Sequence, residues 1–355
     1  MVTKRIFVKD KIMIQLLTYP DIDPQQWQAL IDRSPYATWF QTKEAYQFYA
    51  SNSKEMTPFA VGIEENGHLS GVIVGYITQE KNPIKQLLTC RSIIIGGPLL
   101  DEHISDEALS ALLGAVAPAS RLSPFASRLM KPIYIETRNF HDYSRWKKVF
   151  KRAGFNYQPH LNYHINTTSL DQVQSRIGKH RWRYIRLSMR DGAQIVTHPT
   201  IEQVRAFYTI LQDLYRTKVR TPLWSWEFFE RLFHVEHARY ILVELDGQTV
   251  GGTACVCLPG KAVYEWYACG LDNCRDDIRP LSVAIWGEMQ YAAENGYPLF
   301  DFMGAGSPDQ PYGVRDFKAE FGGELLEHGR FLCIRKPLLY WIGKMGVKLL
   351  KRNIK

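Results

Sequence analysis

Apolar and polar positions alternate in two stretches of the chain that match one another. In TPFAVGIEENGHLSGVIVGYI (57–77) two apolar runs flank Asn66-Gly67, and in RYILVELDGQTVGGTACVCLP (239–259) two runs flank Asp246-Gly247. Asn-Gly and Asp-Gly tolerate the positive φ of a two-residue turn, so both stretches predict β-hairpins. A glycine follows the Asn or Asp five residues later in each, at Gly71 and Gly251. A second matched pair lies downstream. PIYIETRN (132–139) leads to VFKRAGFNYQPHLNYHI (149–165), and PLFDFMGA (298–305) leads to DFKAEFGGELLEHGRFLCI (316–334). Each predicts strand, loop, short helix containing Phe-Lys, glycine, strand. The spacing from Pro132 to Phe150 is 18 residues and from Pro298 to Phe317 is 19.

Helical periodicity fills the intervals. SDEALSALLGAVA (105–117) offers Ser105 as N-cap with Glu107 in the first turn, and LSVAIWGEMQYAAENG (281–296) stops at Gly296. Helices are also predicted near 24–34, 42–52, 176–192 and 200–215. Each half then reads helix–helix–hairpin–strand–helix–strand–helix–strand, a duplicated unit. The predicted class is mixed α/β (α+β), with largely antiparallel sheets flanked by helices. The polar segment NTTSLDQ suggests a boundary, giving domains over 1–167 and 168–335 with a tail over 336–355.

A chain of 355 residues, 45% apolar and 23% charged, suits two globular domains. The net charge of +8 favours an anionic partner. Six cysteines occur without a CxxC pair, and Cys255 and Cys257 share a face of one predicted strand. They read as reduced core thiols of a cytosolic protein. The start, MVTKRIFVKDKIMIQLL, has charges scattered through its apolar residues and no small-residue cleavage site, unlike a signal peptide. No window of about 18 apolar residues predicts a membrane span. The scattered histidines form no metal set and no Ser-His-Asp order.

In this order the elements resemble the GNAT (general N-acetyltransferase) fold used twice. The chain resembles more closely the Fem family, the aminoacyltransferases that build peptidoglycan interpeptide bridges, and the wider FemAB-like group. The likeness is sharpest at GVRDFKAEFGG (313–323), which is similar to the family's Gly-x-x-x-Phe-Lys-x-x-Phe-Gly signature. RSIIIGGPLL (91–100), YIETRN (134–139), RWRYIRLSMRDGAQI (181–195) and FDFMG (300–304) support it. No coiled-coil arm, which some Fem enzymes carry, is visible.

The resemblance implies that Phe317 and Lys318 lie at the active site, with the lysine stabilising charge in acyl transfer. An amine attacks an ester or thioester carbonyl, and a fixed cation in a water-poor site stabilises the oxygen's developing charge. Read without the motif, Lys318 is a solvated helix lysine beside a core phenylalanine. Arg315 suits a bidentate clamp on phosphate or carboxylate, or a surface ion pair. Tyr312 is placed to line the same site. Asp301 alternates with Phe300 and Phe302 and is read as orienting Lys318, acting as a base or pairing with an arginine. Glu265, in VYEWYACG on a probable central strand, suits the deprotonation of the amine if burial raises its pKa. Arg138 occupies the matching post-strand position in the first half, where the resemblance implies that a phosphorylated precursor is held. The IIIGGP turn (93–98) fits close approach of a ligand to backbone, or an ordinary tight turn.

Acetyl-CoA enzymes of this fold usually carry an Arg/Gln-x-x-Gly-x-Gly/Ala loop before a helix. The corresponding LDNCRDDIRPLSVAIW (271–286) has no glycine and holds Asp272, Asp276 and Asp277 beside Arg275 and Arg279. This favours aminoacyl-tRNA as co-substrate, with acyl-CoA the alternative, and no tightly bound cofactor or metal. Lys179, Arg183, Arg186 and Arg190 share one face of a predicted helix. In the tail, Leu338, Trp341, Ile342, Met345 and Leu349 form one stripe and Lys344, Lys348, Lys351 and Lys355 another. Such a helix lies on an anionic membrane, docks on its own domain, or meets tRNA phosphates. The expectation is a cytoplasmic aminoacyltransferase acting on a peptidoglycan precursor, in peripheral contact with the inner face of the plasma membrane and with no DNA partner. The alternatives are an N-acyltransferase using acyl-CoA or an acyl carrier in envelope or polysaccharide synthesis, and a catalytically silent binding protein.

Overall fold

Both predicted turns adopt left-handed backbone, with φ 53° at Asn66, 84° at Gly67, 52° at Asp246 and 74° at Gly247. The computed structural model describes residues 4–7, 13–117, 132–271 and 274–352, with side chains placed between 13 and 345. It divides into one unit over 1–159 and 328–355, and a second over 160–327.

The first unit runs β1 (Lys4–Phe7), β2 (Met13–Thr18), α1 (Pro24–Arg33), α2 (Lys43–Ser51), β3 (Met56–Glu65), β4 (His68–Thr78), α3 (Pro83–Thr89), β5 (Arg91–Gly96), β6 (Leu99–Leu100), α4 (Asp106–Val116), β7 (Tyr134–Asn139), α5 (Lys147–Arg152) and β8 (Asn156–Gln158). The second runs β9 (Leu161–Asn166), α6 (Leu170–Arg176), α7 (Lys179–Arg190), β10 (Gln194–Val196), α8 (Ile201–Leu214), α9 (Trp226–Phe233), β11 (Ala238–Leu245), β12 (Gln248–Leu258), β13 (Ala262–Gly270), α10 (Pro280–Glu294), β14 (Leu299–Asp301), α11 (Gly313–Ala319) and β15 (Glu324–Glu327). The chain then returns to the first unit with β16 (Arg330–Ile334) and α12 (Pro337–Arg352).

The first sheet has the order β1-β2-β3-β4-β5-β7-β16-β8 with β6 beside β4, and the second β10-β11-β12-β13-β14-β9-β15. Among the described residues each contains one parallel pair, β5 with β7 and β13 with β14, at the same place in the repeat. Both hairpins bulge just past the turn, leaving Ser70 and Val250 unpaired. Duplication is thus visible in sheet order and in local irregularity.

The boundary expected at 167/168 is displaced. The last strand of each copy completes the other copy's sheet: β9 sits between β14 and β15, and β16 between β7 and β8. Tyr163 and Ile165 of β9 fill the second core, while Phe331 of β16 stacks on Phe150 in the first at 3.8 Å between rings. The polar segment NTTSLDQ is no free linker either. Thr167 is wholly buried, its amide donating to the Pro298 carbonyl and its hydroxyl to that of Tyr297.

Two further differences have local causes. The helix expected over 176–192 breaks after Arg176, because Ile177 turns into the core and the Gly178 amide donates to the Glu320 carbonyl. At the IIIGGP turn the space a Cβ would need is taken by Thr38 beside Gly96 (2.4 Å) and Tyr143 beside Gly97 (2.9 Å). The glycines there admit the protein's own side chains, as an ordinary turn would. All six cysteines are free thiols, five of them buried and Cys274 half-buried.

Candidate active site

β14 ends at Asp301 and the chain enters a loop whose backbone turns left-handed at Met303 (φ 56°), Gly304 (135°) and Gly306 (79°). That geometry presents carbonyls to Lys318 on the following helix. Its Nζ donates to the carbonyl oxygens of Phe302 (2.7 Å) and Gly304 (2.9 Å). The ammonium lies 3.7 Å from Glu265 Oε1, and the two side chains are only 11% and 6% exposed. Lys318 is therefore a buried lysine, not a solvated one.

Asp301 fixes this loop from below. Its Oδ1 accepts the Met303 amide (2.6 Å) and Asn162 Nδ2 (2.7 Å), and its Oδ2 meets His164 Nε2 at 3.0 Å. Asn162 Oδ1 in turn accepts the Gly304 amide at 2.8 Å. Burial opposes charge on Asp301, but His164, Asn162 and the Met303 amide outweigh it and hold the carboxyl below its ordinary range. Such a group is a poor base. It orders the loop whose carbonyls bind Lys318, and it pairs with a histidine rather than an arginine. Asn162 and His164 escaped the sequence reading because they stand on β9, assigned there to the other half.

Glu265 sits beside a bulge in β13, where the register with β12 steps from Tyr267 to Glu265. Burial pushes its carboxyl up to about 7, with Lys318 pulling the other way. Its Oε2 is buried and finds no hydrogen-bond partner among the described residues. Glu288 on α10 is wholly buried, and burial together with the neighbouring Glu265 raises it well above the usual range.

Phe317 is half-buried and meets Phe321 edge-on at 5.4 Å. The Arg181 guanidinium lies over both rings, 4.4 Å from Phe317 and 5.7 Å from Phe321. Arg181 also donates to Ser282 Oγ (2.7 Å) and pairs with Glu320 (3.1 Å), bracing α11 against α10. In the sequence it stands only as one more cation of the helix predicted over 176–192. Four other cations of that segment, Lys179, Arg183, Arg186 and Arg190, are exposed on α7.

Arg315 spends two donors on the carbonyls of Ser307 (2.8 Å) and Gln310 (2.7 Å), so it clamps the loop itself. Tyr312 is 42% exposed, its ring against Gly306, where a Cβ would come within 2.8 Å. Arg138 stands in the first unit. It lies 3.6 Å from Glu136, whose other oxygen accepts from Arg330, and its buried Nε finds no hydrogen-bond partner among the described residues. A cavity of about 460 Å³, lined by His164, Arg176, Gly322 and Glu324 among others, includes neither Lys318 nor Glu265.

Residues 176–318 match the family model described as an acetyltransferase (GNAT) domain. No curated protein matches the chain in sequence. Among solved structures, the crystal structure of FemX is similar with a TM-score of 0.69 at 16% identity, over 92% of this chain and 99% of that one. L-PGS from Bacillus licheniformis gives 0.53 at 10% identity, over 91% and 96% of the two chains. A tandem GNAT protein from the clavulanic acid biosynthesis pathway gives 0.51 at 11% identity, over 91% and 98%. At these identities the likeness establishes the fold, two GNAT-like units in tandem.

Proposed function

We propose that this chain, whose residues 176–318 match an acetyltransferase (GNAT) domain and whose fold is similar to that of FemX, is an acyltransferase that moves an aminoacyl group from aminoacyl-tRNA to an amine of a peptidoglycan precursor. The observation that carries this reading is the buried Lys318–Glu265 pair, in which the cation is held by two carbonyls and the acid titrates near neutrality. Ionised Glu265 takes a proton from the attacking ammonium. The freed amine adds to the ester carbonyl, and the third donor of Lys318 stabilises the oxyanion. As the tetrahedral intermediate collapses, the ester C–O bond breaks, the nitrogen gives up its remaining extra proton to solvent as the amide forms, and the proton held by Glu265 passes to the leaving 3′-oxygen.

The start of α10 supports a donor other than CoA. Pro280 has no amide hydrogen, and the Ser282 and Val283 amides both donate to the Arg279 carbonyl. Arg275 is engaged by Asp277. Among the described residues, this helix start has little left to cradle a pyrophosphate. The exposed cations of α7 suit a polyanionic donor. In the first unit Arg138 and Arg330 outnumber Glu136, and on this reading Arg138 holds a phosphate of the acceptor.

An N-acyltransferase using acyl-CoA is the second reading, favoured by the acetyltransferase description of the matched domain. The test is transfer of label from a mixed aminoacyl-tRNA pool, and separately from acetyl-CoA, to lipid-linked and nucleotide-linked precursors. Label moving from tRNA and lost in Lys318→Ala supports the proposal. Label moving from acetyl-CoA alone overturns the donor. A folded protein that transfers neither is the binding protein of this fold.

A further inference from the structure

Helix α3, PIKQLLT, buries none of its residues. Ile84, Leu87 and Leu88 are 69%, 55% and 45% exposed. In the same unit it touches α12, where Leu338, Trp341, Ile342 and Met345 are 71%, 61%, 46% and 41% exposed. Seven large apolar side chains thus face solvent on two adjoining helices, and one of those helices was invisible to hydropathy patterning. The start of α12 is anchored. The Arg335 and Lys336 amides both donate to the Ile133 carbonyl, and Tyr340 packs edge-on against Tyr134 at 5.5 Å. The apolar face is held outward rather than left on a loose tail.

The charge around this face is predominantly positive. From 328 to the end the sequence has no Asp or Glu, and α12 and its flanks carry Arg335, Lys336, Lys344, Lys348, Lys351, Arg352 and Lys355. α3 contributes Lys85 and is preceded by Lys81, against a single Glu80. An acid-free apolar face with a tryptophan and a cationic border is what an anionic leaflet selects. The apolar side chains enter the acyl boundary, the indole sits at headgroup depth, and the cations meet lipid phosphates. Among the described residues no helix is long and apolar enough to cross a membrane, and the apolar and cationic stripes of α12 suit a helix lying in the interface plane.

We infer that α3 and α12 together form a docking surface for anionic phospholipid membranes. The inference is independent of which acyl donor the second unit uses. The experiment is flotation of the full chain with vesicles of phosphatidylcholine alone or containing phosphatidylglycerol, at low and high salt. The full chain floats with the anionic vesicles, roughly tenfold more weakly as salt rises or phosphatidylglycerol is left out. Trp341→Glu and Ile84→Glu each release it, and because both side chains are exposed, both variants melt like the parent. Equal binding to neutral vesicles, or none to anionic ones, overturns the inference. Release by Trp341→Glu but not by Ile84→Glu or Leu87→Glu overturns the two-helix surface. A stable dimer in sedimentation that Trp341→Glu dissociates, without vesicle binding, assigns the face to a second copy and likewise overturns it.

Discussion

Lys318 and Glu265 face one another across 3.7 Å inside the second unit, the ammonium on α11 and the carboxylate on β13. Taking two charges out of water is costly, and this pair lacks the short contact that would offset the cost well. The carbonyls of Phe302 and Gly304 make up part of the difference by binding the ammonium directly. Lys318→Met leaves both carbonyls and Glu265 without their cation. The expected loss is about 1–3 kcal/mol of stability, read by urea unfolding. Transfer falls by roughly 10²–10³ if the lysine is the oxyanion donor. Lys318→Met/Glu265→Gln should regain part of the stability and none of the transfer. Full activity in the stable double variant would dismiss both roles.

Glu265 gives the reaction a pH signature. Burial raises it to about 7, and only its ionised form accepts a proton from the amine. The value of kcat/KM should therefore rise with pH through about 7 and then level off. Glu265→Gln should lower the plateau and remove that step. A step at the same pH in the variant would mean that the titrating group is elsewhere.

Hairpin turns, helix periods and the Phe-Lys motif were legible because they depend on residues close in sequence. The partner of each copy's last strand was not. The stretch after Gly154 read as the single last strand of one half, yet it holds two, β8 and β9, which join different sheets. The misplacement of β9 concealed Asn162 and His164, and with them the reason why Asp301 is buried and ionised. α3 escaped because a seven-residue helix without a buried face has no core stripe to detect. Lys318, by contrast, was legible only by resemblance. Nothing in the periodicity of α11 distinguishes a buried lysine from a solvated one.

The Asp301–His164 contact predicts a stability difference that depends on pH. Burial works against charge on His164, but Asp301 outweighs it and raises the imidazole above its ordinary value. The sign follows. The pair's contribution is fully present below the unfolded histidine value of about 6.5 and is lost as pH rises through the raised folded value. Asp301→Asn should therefore lower Tm more at about pH 6 than at about pH 8.5. Equal losses would mean that His164 is neutral throughout and that Asp301 serves only to hold the loop.

Arg315 offers a separation of loop order from anion binding. Its two bonds to the Ser307 and Gln310 carbonyls need the spread of a guanidinium. Arg315→Lys keeps the charge and loses one of them, a cost of about 0.5–1.5 kcal/mol in loop order. The expected result is a raised KM with global stability unchanged. A variant with unaltered KM would show that the charge is what matters and would restore the anion clamp.

Gly322, where α11 hands over to β15, tests how rigidly the Phe-Lys segment is mounted. Its φ is +78°, and a Cβ would lie 2.1 Å from the Arg176 carbonyl oxygen, backbone that cannot rotate away. Gly247, at φ +74°, has nothing within 4 Å. Alanine at either site carries the left-handed strain of about 1–2 kcal/mol. Only at Gly322 must two backbone segments also part. Gly322→Ala should therefore destabilise clearly more than Gly247→Ala in urea unfolding. It should also slow transfer, because the shift is carried along α11 to Lys318, whereas Gly247→Ala leaves the rate alone. Equal costs for the two would mean that the end of α6 yields easily, and that the position of Lys318 is set by the 301–304 loop rather than by the packing of its own helix.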